Sequence, residues 1–217
     1  MQTRRPRLRL LLLVLGMCNG VAERDLHAQQ SSLLECTSTF VKEASAESLA
    51  KRFGASNVRS GEVYVGEGMY ESGTVVFANS MEDRVEILWN DSQAQRLPRI
   101  VQIRGNKSHW RTASGLTLGI DLLTVERLNR RPFRLLGFEW DYQGTVTSWA
   151  GGTIGLPPSA PCTTLARLWR ERANADLLKW YLQVVGDREF SSGHPAMQAI
   201  NPSVIEVLLV YPPTKAR

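Results

Sequence analysis

Hydrophobic positions along this chain alternate with polar ones far more often than they recur at helical spacing. Segments such as "GTVVFAN", "RVEILWND" and "RIVQIRGNKSHWRT" are dense in β-branched and aromatic residues and are separated by turn-rich links such as "SMED". That pattern predicts antiparallel strands. Weak alternation through Val63 and Val65 in "NVRSGEVYVGEG" adds an earlier strand, and "RIVQIRGNKSHWRT" reads as a strand, a Gly-Asn turn and a return. Ahead of them, "SAESLAKRFG" carries a Ser cap, a Glu soon after, apolar Leu49 and Phe53 four apart, and Gly54 as a stop. These are the end signals of a short helix.

The same order then restarts. "LGIDLLTVERLNRRPF" places Leu123, Val125 or Glu126, and Leu128 along a helix that Pro132 must end. "RLLGFEWDY", a two-residue Gln-Gly turn and "TVTSWAGG" read as a hairpin. "YESGTVVF" and "YQGTVTSW" share a Tyr, a short link, Gly-Thr-Val and an aromatic, the mark of a worn duplication. Beyond the connector "GLPPSAPC", the stretch "TTLARLWRERANADLLKWYLQVVG" reads as helical. Its stripe of Leu165, Leu168 and Trp169 is out of phase with that of Leu177, Leu178 and Tyr181, so a bend is expected near Asn174. "SVIEVLLVY" supplies a last strand. The fold class is therefore α+β: an antiparallel sheet built from two helix-plus-hairpin units, followed by a helical region and a final strand.

The segments divide as 1–22, a signal peptide; 23–44, a flexible leader; and 45–217, a single domain. Within that domain, 45–112 is the first unit, 113–152 the second, and 153–217 the helical region and last strand. The signal peptide rests on "MQTRRPRLRLLLLVLGMCNGVA": basic residues, an apolar run, then small residues at Gly20 and Ala22. The run falls well short of the ~20 residues a membrane helix needs, so no span is expected after cleavage. "TRRPRLR" lacks the aromatic residue of a twin-arginine signal at Arg7. "LGMC" has Met17 where a lipoprotein box wants a small residue, which argues against a lipid on Cys18. Location is thus exported, periplasmic or extracellular.

Charge changes little once it is placed. The chain has 26 basic and 21 acidic residues, a net of +5. Four of the arginines lie in the signal segment, and without them 22 face 21, a net of +1. Neither nucleic acid nor an anionic membrane surface is indicated. Export leaves Cys36 and Cys162, which an oxidising compartment tends to bridge. Two unpaired buried thiols are the other reading of the same spacing.

Candidate chemistry is sparse. In a strand over "GFEWDY", Leu136, Phe138, Trp140 and Tyr142 share one face, and Glu139 and Asp141 share the other, ~6–7 Å apart. That spacing suits the paired carboxylates of a glycoside hydrolase, and equally the wet face of a half-buried strand. The wet face is the expectation, with catalysis by Glu139 and Asp141 the alternative. No nucleophile elbow, zinc-binding helix or phosphate loop occurs, so no cofactor and no metal site are expected. "GEGMYESG" reads as hairpin glycine. His194 with Ser191 or Ser192 lacks an acid partner nearby. Trp89 with Asp91 in "LWND", and Trp149 in "SWAGG", stand at strand ends where they would bind a partner, a small ligand or a glycan.

The stretches "SLAKRFG" and "LTLGIDLLTVERLNRRPF", each a helix running into a Gly or Pro break and then a strand, resemble two families. These are the β-lactamase inhibitory protein family and the small envelope lipoproteins of the BamE type. The resemblance spans roughly residues 45–150, and the C-terminal region departs from both. It implies a binding, inhibitor-like or scaffolding protein of the bacterial envelope whose partner is another protein.

Overall fold

A computed structural model describes residues 32–170 and 175–213. The signal segment, Cys18, the first part of the leader and Asn174 lie outside the described residues.

The fold is α+β. Helix α1 (Ala46–Phe53) precedes strands β1 (Val58–Gly66), β2 (Met69–Val76), β3 (Val85–Asp91) and β4 (Arg96–Arg104). Helix α2 (Leu122–Asn129) leads to β5 (Arg134–Leu136) and β6 (Val146–Ser148), followed by β7 (Thr163–Trp169). Helix α3 (Ala175–Tyr181), β8 (Glu189–Ser191), α4 (Pro195–Ile200) and β9 (Ser203–Val210) complete the order. Six strands form one sheet in the order β1-β2-β3-β4-β9-β7, and three form a second, β6-β5-β8. Every neighbouring pair is antiparallel. A bridge between Thr145 and Arg167 joins the small sheet to the β7 edge.

Local chemistry sets the helix ends. Ser45 caps α1 by accepting from the Ser48 amide, and the Ser48 hydroxyl receives the Ser45 amide in return. The reciprocal partner is therefore Ser48 rather than the neighbouring Glu47. Asp121 caps α2 by accepting from the Thr124 amide, and the helix ends at Arg130 in a left-handed conformation, before Pro132 acts.

One face of the large sheet is core. Val76, Val85, Ile87, Val101, Ile103, Val207, Leu209, Ala166 and Leu168 are all buried there, as strand alternation requires. Leu122 and Val125 of α2 and Leu49 of α1 pack onto the same core. Phe53 meets Phe40, Phe77 and Trp110 with ring centroids 5.5–6.3 Å apart.

Four expectations need correction. Residues 32–44 are not a loose leader: Leu34, Cys36, Phe40 and Ala44 are buried in the core. Residues 163–169 are strand β7, not helix. Thr164, Ala166 and Leu168 are buried in alternation with more open neighbours, and β9 supplies the partner that converts a mixed pattern into a strand. The return after the Gly-Asn turn is irregular; it buries Trp110, whose indole N–H donates to the Asp83 carbonyl, 2.6 Å. The two helix-plus-hairpin units feed different sheets, and β5 and β6 are linked by nine irregular residues instead of a two-residue turn.

Cys36 and Cys162 form a disulfide with Cα atoms 6.2 Å apart across a sequence separation of 126. In the chain-entropy account a loop of this size is worth up to ~4–5 kcal/mol.

Candidate functional site

Strands β1 and β2 pair along nearly their whole length, from Val58 with Val76 to Gly66 with Met69. Only Thr74, Val75 and Val76 pair onward with β3. The remainder of the hairpin leaves the sheet as a two-stranded arm. A glycine pair, Gly61 opposite Gly73, sits where it departs. A methyl group on Gly73 would overlap the Ile87 carbonyl oxygen and lie 2.8 Å from Val63 Cγ2. Glycine is thus the residue that lets β2 pass this close to β3.

The arm lies over the face of the sheet opposite the core. The Tyr64 carbonyl accepts from Gln102 Nε2 at 3.0 Å, and the Arg104 guanidinium stands 4.0 Å from the Tyr64 ring centroid. The turn at the tip uses left-handed Glu67 and Gly68, the backbone that a tight hairpin requires. Around that turn Val65, Met69 and Tyr70 face solvent, Met69 at 55% and Tyr70 at 60% exposure. The Tyr70 ring meets Tyr64 edge-on at 5.5 Å, which fixes its direction.

Beneath the arm runs a groove of about 290 Å³, lined in part by Tyr64, Glu71, Arg99, Gln102, Arg167 and Glu206. Strand register assembles its charges. Arg104 and Arg167 both stand opposite Glu206, and Gln102 stands opposite Glu86. Glu206 receives Arg104 Nε at 2.9 Å and lies 3.3 Å from Arg167 Nε. Glu86 accepts from Gln102 Nε2 at 2.9 Å and pairs with Arg84 at 2.7 Å, while Arg99 reaches Glu71 at 2.5 Å. Burial pushes the Glu206 carboxyl above its ordinary range. Arg167 and Arg104 oppose that rise, and the charge of Glu86 adds to it. The Nε atoms of Arg99 and Arg167 are buried and make no hydrogen bond. A cleft of this kind suits recognition of polar groups, framed by an apolar tip. Its one deeply buried acid is held by two arginines. Among the described residues no cluster of His, Cys, Asp and Glu is placed to hold a metal ion, and no helix is long and apolar enough to cross a membrane.

The residues singled out from the sequence do not gather here. Trp89 and Trp149 are core, at 5% and 8% exposure. Their indole N–H groups donate to Thr74 Oγ1 at 2.8 Å and to the Thr164 carbonyl at 2.7 Å. Their strand-end positions face inward, so neither serves as a binding platform. Asp91 is tied at the surface to Arg96 at 2.7 Å, and that bond, with the Ala94 amide, holds its carboxyl low.

Glu139 and Asp141 are exposed, in keeping with a wet face, but no strand carries them. Glu139 has a left-handed backbone, φ 63°, and residues 141–144 form a turn. Phe138 alone of the expected inner face is fully buried. Trp140 is half-buried, with its indole N–H on the Gly137 carbonyl, and Tyr142 is 54% exposed. The inner-face assignment of Trp140 and Tyr142 is therefore corrected.

Ser192 does find an acid: its hydroxyl donates to Glu126 at 2.5 Å and accepts from the Phe133 amide. His194 instead uses Nδ1 to cap α4 through the Ala196 amide, so the serine and the histidine serve separate structural ends.

Met69, Tyr70, Arg99, Gln102, Arg167 and Glu206 were not anticipated. One signal was present. Glu206 is a lone charge inside the apolar run "SVIEVLLVY", and a buried charge calls for partners. The bridged Cys36 and Cys162 stand as expected. No family model, curated protein or solved structure matches the chain.

Proposed function

We propose that the protein is an exported binding protein that grips another protein with the β1–β2 arm and the groove beneath it. The observation that carries this reading is the tip of the arm. Met69 and Tyr70 project into solvent from a ribbon anchored by Gln102 and Arg104. Such aromatic and Met side chains lose most on staying wet and gain most on entering a partner's pocket. The charged groove behind them supplies the polar rim that such an interface needs.

Export is supported by the basic-then-apolar start and by the Cys36–Cys162 bridge, which belongs to an oxidising compartment. The resemblance of "SLAKRFG" and "LTLGIDLLTVERLNRRPF" to inhibitory and envelope scaffolding families, if it holds, would put the protein in the same class. Glu139 and Asp141 do not line the groove, and the reading assigns them no reaction.

The test is capture from the native envelope. Wild-type protein should retain a partner that Met69→Asp with Tyr70→Asp loses and that Glu139→Gln with Asp141→Asn keeps. Retention by the arm variant would reject the reading. N-terminal sequencing of the exported form should begin near Glu23, and recovery of a cytosolic chain retaining Arg4 and Arg5 would remove the export half.

A further inference from the structure

A second concavity shares no lining residue with the groove under the arm. It lies where residues 34–37, 112–114 and 153–164 come together beside the disulfide, and it has a volume of about 430 Å³. Its walls are apolar: Leu34, Ile154, Leu156, Pro157, Pro161 and Leu209. Leu34, Ile154 and Leu209 are buried core residues, so the floor of the cavity is the hydrophobic core itself, whereas Leu156 is exposed at the surface. Cys36 contributes to the lining, and its bond to Cys162 ties the 34–37 segment to the start of β7.

The polar groups are almost all hydroxyls. Thr112 Oγ1 and Ser114 Oγ stand 2.8 Å apart, and Thr112 Oγ1 also accepts from the Leu116 amide at 3.1 Å. Ser114 is thereby oriented while its oxygen keeps capacity for a further partner. Among the described residues no basic side chain lines the cavity, and the one carboxylate there, Glu35, accepts from the Ser38 hydroxyl at 3.0 Å. An anion entering here would lose its hydration with no cation in return, a cost of several kcal/mol in real proteins. A neutral apolar body loses nothing of the kind and gains on the order of 25 cal/mol for each Å² removed from water. The volume falls within the roughly 300–1,000 Å³ of small-molecule sites.

We infer that this cavity is a binding site for an uncharged, mainly apolar small molecule carrying one hydrogen-bonding group that meets Ser114. The site is independent of the arm and stands or falls separately from it.

The probes are N-phenyl-1-naphthylamine, which is neutral, and its sulfonated relative 8-anilinonaphthalene-1-sulfonate, which adds one negative charge to a similar body. Both are titrated into the full chain with the Cys36–Cys162 bond intact, following the rise in probe fluorescence. The neutral probe should saturate at one per chain and bind at least about tenfold tighter than the sulfonate, a difference of about 1.4 kcal/mol. Leu156→Trp, at an exposed position, should fill the mouth and weaken the neutral probe by about tenfold or more. Tyr70→Asp should leave it unchanged. Absence of saturable binding, equal affinity for the sulfonate, indifference to Leu156→Trp, or loss with Tyr70→Asp would each overturn the assignment.

Discussion

"YESGTVVF" and "YQGTVTSW" look like two copies of one hairpin strand, yet the first is continuous strand from Tyr70 to Val76 and the second is strand only from Val146 to Ser148. In the first, Gly73 is extended within β2, opposite Gly61, and Thr74 to Val76 run on into the sheet. In the second, Gly144 has φ 66°, in the left-handed region, and its carbonyl receives the Leu168 amide of β7. The difference arises upstream. Phe138 inserts into the core and stacks on Tyr181 at 5.7 Å. Its amide and carbonyl bond to Val184 and Gly186 rather than to the returning strand. Residues 137–145 are therefore shared between two neighbours and satisfy neither as a regular strand. The arm has no such competitor, so its ribbon stays intact to the tip. Local alternation says which side chains seek burial; the partners available to the backbone decide whether the segment is a strand.

Substitutions can break this comparison, and Gly144 should give the largest effect. Gly144→Ala meets two penalties, a left-handed backbone and overlap with the Leu168 carbonyl oxygen. It should cost more than ~4 kcal/mol, enough to lose a marginal domain. Gly73→Ala meets only the close approach and should cost ~2–4 kcal/mol. Urea denaturation of the two variants orders them, and a reversed order would undo the account of the two hairpins.

Within the second region, Phe138→Ala removes a fully buried ring and should cost ~3–5 kcal/mol. Trp140→Ala removes a half-buried ring held by one hydrogen bond and should cost about 1–2 kcal/mol. Equal losses would restore Trp140 to an inner face.

A smaller effect is a slope with pH under the arm. Glu206 has a carboxyl raised above its ordinary 4.5 by burial. Its contribution to stability is then complete below pH 4.5 and is lost as pH rises through the raised value in the folded protein. Wild-type stability should accordingly fall relative to Glu206→Gln as pH increases through that window. Asp121 acts in the opposite sense. Hydrogen bonds from Thr124 hold its carboxyl below 3.8, so its contribution is present above that value and lost in acid. Denaturation midpoints measured across pH for wild type and Glu206→Gln separate the two, and a relative rise for wild type would contradict the burial of Glu206.

The smallest effect is at the surface. Glu139→Gln and Asp141→Asn should each change stability by less than ~0.5 kcal/mol, readable in the same denaturation series. A larger loss would mean that these carboxylates hold the turn.

Much of the architecture was legible in the chain. Ser45 and Gly54 bound α1, the four strands of the first unit fall where β-branched and aromatic residues concentrate, and Cys36 and Cys162 are bridged. Failures came where a distant strand decided the outcome. Residues 163–169 contain Leu165, Leu168 and Trp169 at helical spacing, but β9 offers seven residues of backbone pairing. Trp89 and Trp149 sit near strand ends, yet both are buried, with their indole N–H groups on Thr74 and the Thr164 carbonyl. The groove was harder still to see. Tyr64, Gln102, Arg167 and Glu206 are spread over four strands, and only sheet order and a bent arm bring them together.

Tyr70 and Tyr142 offer a matched pair for the central claim, exposed to 60% and 54% in the two regions compared above. Each can be replaced by a photo-crosslinking phenylalanine analogue and irradiated in native cells. The arm account predicts a discrete covalent adduct with one protein from position 70 and none from position 142. Adducts from both positions alike, or from position 142 alone, would contradict it.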